Sequence, residues 1–187
     1  MLTLTFHGPY SFTENDRLVF HCKYAKSAGI YLWVKNTNKG NYISYVGETN
    51  SLAKRHREHL IGILGLNYGI FDPEKAKQGV LEFIWKGFWR DREAKELPAL
   101  FEAYGKISEK VLEHLRIIDI YFAPTTVDTK TRKHIEGSMG WNLRKAHPEV
   151  ATLYPADNHV GVGEKIGAKL VITSDEPICG LDAELDI

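Results

Sequence analysis

Two short β-type runs, Gly29 to Lys35 and Asn41 to Gly47, flank the polar turn Lys35-Asn36-Thr37-Asn38-Lys39-Gly40-Asn41. Asn and Gly supply the backbone freedom a tight reversal needs, so this stretch predicts a β-hairpin. Side chains alternate along a strand, which puts Ile30, Leu32 and Val34 on one face and Tyr31, Trp33 and Lys35 on the other. Asn50 or Ser51 can then cap a helix from near Leu52 to about Leu64. A hairpin with an apolar face must cover it, and a helix directly following is the shortest cover.

The remaining patterning predicts more of both element types. Leu2 to Phe6 alternates as a strand ended by His7-Gly8-Pro9, and Leu18 to Cys22 reads as a second strand. Asp72-Pro73-Glu74 opens a helix that carries Val80, Leu81, Phe83, Ile84, Trp85, Phe88 and Trp89. Leu97 to about Leu115 repeats its apolar residues at helical spacing. Ile117 to Ala123 is a β-type run halted by Pro124; Thr129 or a neighbour caps a helix to about Ala146; Leu170 to Thr173 is a late strand. The expected class is α+β, a small antiparallel sheet flanked by helices.

Size and charge limit the function classes. A chain of 187 residues suits one domain. No apolar run reaches the roughly 18 residues that span a bilayer, and the N-terminus lacks the pattern of a secretory signal. Cys22 and Cys179 are far apart in sequence and outside metal-ligand spacing. They read as buried free thiols of a cytoplasmic protein, with one disulfide as the other possibility. Formal net charge is zero, unlike many strongly basic DNA-binding domains. Its distribution is uneven: from Asp175 onward there are five acidic residues and no Lys or Arg. The rest of the chain, with 24 basic and 19 acidic side chains, carries +5. Basic clusters occur at Lys54 to Arg57, Lys130 to Lys133, and Arg144-Lys145. Each suits a solvated surface or a phosphate contact.

Gly29-Ile30-Tyr31, Tyr45-Val46-Gly47 and the string Lys54-Arg55-His56-Arg57-Glu58-His59 follow one another in that order. This succession resembles the catalytic core of the GIY-YIG nucleases, with the second motif written Tyr-Val-Gly. The resemblance covers about residues 28–64 by motif and about 117–146 by order of elements. It implies a three-stranded antiparallel sheet flanked by helices, formed here by the GIY strand, the YVG strand and Ile117 to Ala123. Residues 66–115 would be a helical elaboration, and 1–27 and 160–187 terminal extensions with extra strands, all within one domain.

The implied activity is divalent-metal-dependent hydrolysis of DNA, with Mg²⁺ or Mn²⁺ as cofactor. A stand-alone core of this size resembles the compact type II restriction enzymes of the family, which makes a cytoplasmic homodimer the expected assembly. The other reading is a GIY-YIG-like module that binds nucleic acid or protein without catalysis. Tyr31 is the candidate to accept a proton from water or to orient it, with Tyr45 as support or substitute. Arg55 and His59, four residues apart, share one helical face. Arg suits a phosphoryl group through its planar, permanently charged fork, and His59 can orient or shuttle a proton. Ala53, Leu60 and Leu64 would pack on the opposite side of that helix. The family's metal-holding glutamate matches Glu136, with Glu109, Glu113 and Glu149 as rivals; one carboxylate plus waters suits Mg²⁺. The chain departs from the family pattern in the spacing of the asparagine that follows the glutamate; Asn158, or else Asn142, is the candidate for it. Lys54, Arg57, Lys130, Arg132 and Lys133 are candidates for phosphate contact. Phe83, Trp85, Phe88 and Trp89 suit base stacking, or else core and interface packing.

Overall fold

The computed structural model describes residues 1–90, 95, 97–151 and 166–187. In chain order it contains β1 (Leu2–Tyr10), β2 (Gly29–Thr37), β3 (Gly40–Thr49), α1 (Leu52–Leu64), β4 (Ile70–Phe71), α2 (Pro73–Lys77) and β5 (Phe83–Trp85). These are followed by α3 (Leu97–Arg116), β6 (Ile118–Pro124), α4 (Thr129–Ala146), α5 (Pro148–Ala151), β7 (Lys169–Ser174) and β8 (Glu184–Asp186). The hairpin forms where the Asn/Gly turn predicts it: β2 and β3 pair antiparallel, with Tyr31 opposite Gly47 and Trp33 opposite Tyr45.

The small three-stranded sheet is overturned. Strands β3, β2 and β6 are antiparallel neighbours, but they form half of a six-stranded mixed sheet in the order β3-β2-β6-β1-β7-β8. The cause lies in β6, whose residues 120–123 are all buried. A strand covered on both faces needs ladder partners on both edges, because an unpaired backbone group away from water is costly. β2 supplies one edge, with Tyr31 opposite Phe122. β1 supplies the other, running on through Gly8-Pro9 to Tyr10 instead of stopping at His7. β1 then pairs in parallel with β7, Leu2 opposite Leu170 through Phe6 opposite Ser174.

Other expectations are also corrected. Leu18 to Cys22 is not a strand but a succession of turns with one bridge, Ser11 to Leu18. The helix opened by Asp72 ends at Lys77, and Phe83–Trp85 pairs with Ile70–Phe71 as a two-stranded ribbon. Asp72 caps the short helix by accepting from the N–H groups of Glu74 and Lys75. Both cysteines are free, and Cys179 is exposed rather than buried.

Alternation along β2 divides the core in two. Ile30, Leu32 and Val34 join Leu4, Phe6, Ile135 and Leu143 in an aliphatic layer beneath α4. Tyr31 and Trp33 join the opposite layer, where Leu52 and Ile63 of α1 and Ile107 and Val111 of α3 pack. The segment after Asp175 is integrated into the fold: Asp175 bonds His7, Glu176 accepts from Tyr121, and Ile187 is buried. No helix among the described residues is long and apolar enough to cross a membrane.

Candidate active site

Tyr31 lies on the α1 side of β2, and its ring crosses directly over Gly47 of β3. A Cβ at position 47 would sit 2.2 Å from the Tyr31 Cζ and 2.3 Å from its hydroxyl. The glycine of the Tyr-Val-Gly motif is therefore required by this tyrosine, since any side chain there would displace the phenol. Tyr45 stacks alongside, with ring centroids 5.8 Å apart and planes 21° from parallel.

Helix α1 brings its side chains onto these rings. The Tyr31 hydroxyl lies 2.7 Å from His59 Nε2, and Arg55 Nε donates to the same hydroxyl at 3.4 Å. Arg55 also donates to Glu58 at 3.1 Å. Glu58 is thus a surface partner that orients the guanidinium. The packing face of α1 differs from the one expected. Leu52, His56, His59 and Ile63 face inward, whereas Leu64 is exposed. His59 is only 3% exposed, packed among aromatic rings at the edge of a cavity. Trp33 explains why a histidine face can be buried: its indole N–H donates to His56 Nε2 at 3.1 Å, while His56 Nδ1–H donates to the Leu52 carbonyl at 3.0 Å. Both His56 nitrogens are satisfied with the ring neutral.

Protonation in the site follows burial. Burial, and then the neighbouring Tyr45, raise the Tyr31 pKa well above the ordinary phenol value, and Arg55 offsets this only in part. Tyr31 is completely buried, so it stays a neutral hydrogen-bonding phenol. Burial and Glu136 likewise push Tyr45 up, but hydrogen bonds from Tyr31 and Arg55 favour its phenolate. Of the two phenols, Tyr45 is the better placed to meet a water. Burial and the adjacent charges of Arg55 and His56 hold His59 well below the usual imidazole value, so it too is neutral.

Glu136, on α4, belongs to the same electrostatic neighbourhood. Burial and the like charge of Glu48 push its carboxyl up to about 7, opposed by the Glu48 backbone N–H, Arg55 and Lys133. Among the described residues Glu136 has no ion pair, because the arginine of its own helix turns elsewhere. Arg132 is 3% exposed and donates to Glu48 at 3.2 Å, to the Val127 carbonyl at 2.6 Å, and to Asn50 and Thr129. It holds α4 to the end of β3, which removes it from the candidate phosphate contacts. Lys54, Arg57, Lys130 and Lys133 are exposed. Asn142 donates to Asp182 at 2.6 Å, a partner that none of the other candidate residues contacts. Asn158 lies outside the described residues.

Glu136 is half-buried, with the charge of Glu48 opposing its ionisation and those of Arg55 and Lys133 favouring it. Among the described residues, no group of three or more His, Cys, Asp or Glu side chains is arranged to hold a metal.

A cavity of about 230 Å³ adjoins the network. Tyr45, Arg55 and His59 form one wall, and Lys35, Phe71 and Trp89 contribute to the other. Lys35 was legible as a neighbour of Tyr31 and Trp33 from strand alternation alone. Its role was not, because nothing in the sequence reveals that Phe71 and His114 close over it. Comparison with known proteins returns no match: no family model, no characterised protein and no solved structure is similar to this chain.

Proposed function

We propose that the chain is a divalent-metal-dependent endonuclease that hydrolyses phosphodiester bonds in DNA. The observation that carries this reading is the convergence of a guanidinium, a phenol and an ion-pair-free carboxylate from three elements. Arg55 of α1, Tyr45 of β3 and Glu136 of α4 each perturb the ionisation of another member of the set. Hydrolysis at phosphorus needs a positioned water and compensation of the charge that grows on the equatorial oxygens.

In this reading Arg55 contacts the phosphoryl oxygens, kept cationic because the hydrogen bonds to Tyr31 and Glu58 outweigh its burial. Tyr45 orients the attacking water through its hydroxyl. Tyr31 and His59 are positioning residues: they fix Tyr45 and Arg55 from behind and touch no substrate. Glu136 would hold Mg²⁺ or Mn²⁺, which when bound supplies Lewis-acid stabilisation of the phosphate and the leaving oxygen. Exposed Lys54, Arg57, Lys130 and Lys133 supply diffuse attraction to the DNA backbone. The finer form of the proposal is a cytoplasmic restriction enzyme acting as a homodimer, whose two-fold axis would match a palindromic site.

Incubation with a mixed DNA library and Mg²⁺ or Mn²⁺ tests the core reading. Metal-dependent cuts should disappear with chelator. Arg55→Ala should lose about 10²-fold or more in rate, the scale of one charge-stabilising donor, and Glu136→Gln should abolish metal-dependent cleavage. Cleavage that survives both substitutions sinks the assignment. A non-catalytic binding module has one observation in its favour, the complete burial of the Tyr31 hydroxyl; metal-independent DNA binding without cuts would establish it.

A further inference from the structure

The cavity beside Arg55 is more elaborate than phosphoryl transfer requires. Lys35 lines it while only 3% exposed, with its ammonium 4.2 Å from the centroid of the Phe71 ring. Among the described residues, no carboxylate pairs with it. Burial brings this lysine down to about 7, so the fold carries a cation that it does not itself compensate. Two further polar atoms of the lining are buried without partners, His59 Nδ1 and His114 Nδ1. Burial and the Lys35 ammonium lower His114 to about 3, which leaves its imidazole neutral. Unsatisfied buried polar groups of this kind cost on the order of 1–3 kcal/mol each, and two residues of one cavity lining carry them.

The other walls are flat and aromatic. Phe71 lies 4.3 Å from Phe83 and stacks against His114 at 5.8 Å and 27°. Trp33 and Trp89 complete the lining, and Trp89 is 60% exposed. A volume of about 230 Å³ falls below the roughly 300–1,000 Å³ typical of drug-sized ligands, and so limits the occupant to a small ring system. Aromatic faces offer stacking to a planar ring, while the Lys35 ammonium offers a hydrogen bond to its edge. A nucleobase has both a π-face and a polar edge.

We infer that this cavity receives one unstacked nucleobase of the DNA strand whose phosphate is held by Arg55, so that the preferred substrate is single-stranded or locally unpaired. The inference rests on the nuclease reading for its strand, but the base-binding step is measurable without cleavage. Trp33 and Trp89 make intrinsic fluorescence a direct reporter. The four deoxynucleoside 5′-monophosphates, titrated into the millimolar range without metal, should quench emission saturably, and deoxyribose 5-phosphate should not. Lys35→Met should weaken nucleotide binding about tenfold. Trp89→Ala, at a position 60% exposed, should do the same by calorimetry.

Equal binding of the base-free sugar phosphate would make the cavity a phosphate site and overturn the inference. Absence of any nucleotide response in the folded wild-type protein would also overturn it. The two readings separate cleanly. Metal-dependent cleavage without nucleotide binding keeps the nuclease and removes the base pocket. Nucleotide binding without cleavage keeps the pocket and removes the nuclease.

Discussion

The two faces of β2 are built on opposite principles. One presents Ile30, Leu32 and Val34, all buried against aliphatic partners. The other presents Tyr31, Trp33 and Lys35, buried against His56, His59, Phe71 and the ring of Tyr45. The first face needs nothing beyond contact, since dispersion and the removal of apolar surface from water stabilise it. The second face borders a cavity but is otherwise closed to water, yet it holds a lysine and several histidines in neutral or destabilised states. One strand thus separates a layer that stabilises the fold from a layer where polar groups are kept at some expense. That asymmetry is the strongest reason to look for chemistry on the α1 side.

Acid should divide the faces most sharply. Burial and interaction with Arg55 net out to lower His56 to about 4, despite the Leu52 carbonyl; burial and Lys35 lower His114 to about 3. Both lie below the ordinary imidazole value of about 6.5. Below that value the unfolded chain takes up protons the folded one refuses, so stability falls as pH falls. Each ring steepens the loss by about 1.4 kcal/mol per pH unit, on the order of 6 kcal/mol for the pair by pH 4. Urea midpoints measured from pH 7 to 4.5 should drop steadily, and His114→Phe should remove about half of what these two rings contribute to the slope. A flat profile over that range would show that these rings are not buried neutral.

Truncation comes next in size. Leu32→Ala, on the aliphatic face, should cost about 2–5 kcal/mol while leaving the rate constant of the folded fraction unchanged. Lys35→Met, one face over, should do the reverse. Removing an uncompensated buried charge is expected to stabilise by about 1–4 kcal/mol, seen as a higher melting temperature. The sign has its own check. The folded lysine titrates near 7 and the unfolded one near 10.5, so wild-type stability should climb between those values, and the variant should lose the climb. Destabilisation by Lys35→Met would erase the contrast between the faces. The smallest effect belongs to the rim: Lys54→Ala should lower the salt dependence of DNA binding by about one unit of log–log slope, and an unchanged slope removes that contact.

What the sequence reveals here depends on how local the determining physics is. The β2–β3 hairpin, α1 and α4 follow from turn residues, caps and periodicity, which act over a few residues. Leu18 to Cys22 has strand-like composition but no free ladder beside it, because β1 and β2 already flank β6. Phe83 to Trp85 looks like the end of a helix, yet it pairs with Ile70 and Phe71, a contact that apolar spacing does not encode. The inward turn of His56 and His59 was hidden for a related reason. Histidine is read as polar until Trp33 and Tyr31 are seen to satisfy it. Among the proposed site residues, Tyr31, Tyr45, Arg55, His59 and Glu136 are neighbours, linked by hydrogen bonds, ring contacts or charge. Arg132 was misread because only the fold shows that Glu48 claims it.

The parallel pairing of β1 with β7 has a consequence for how the chain is made. Leu2 and Leu170 are register partners, so β1, made before either of its neighbours, cannot complete its edges until β6 and then β7 have been synthesised. The hairpin and the helices can form early from near neighbours, whereas β1 must wait for residues far away in sequence. Topologies dominated by such distant contacts fold slowly, and a strand with open edges invites pairing with other chains in the meantime. The burden on cellular folding helpers should therefore fall on the N-terminal strand rather than on the hairpin that carries the tyrosines.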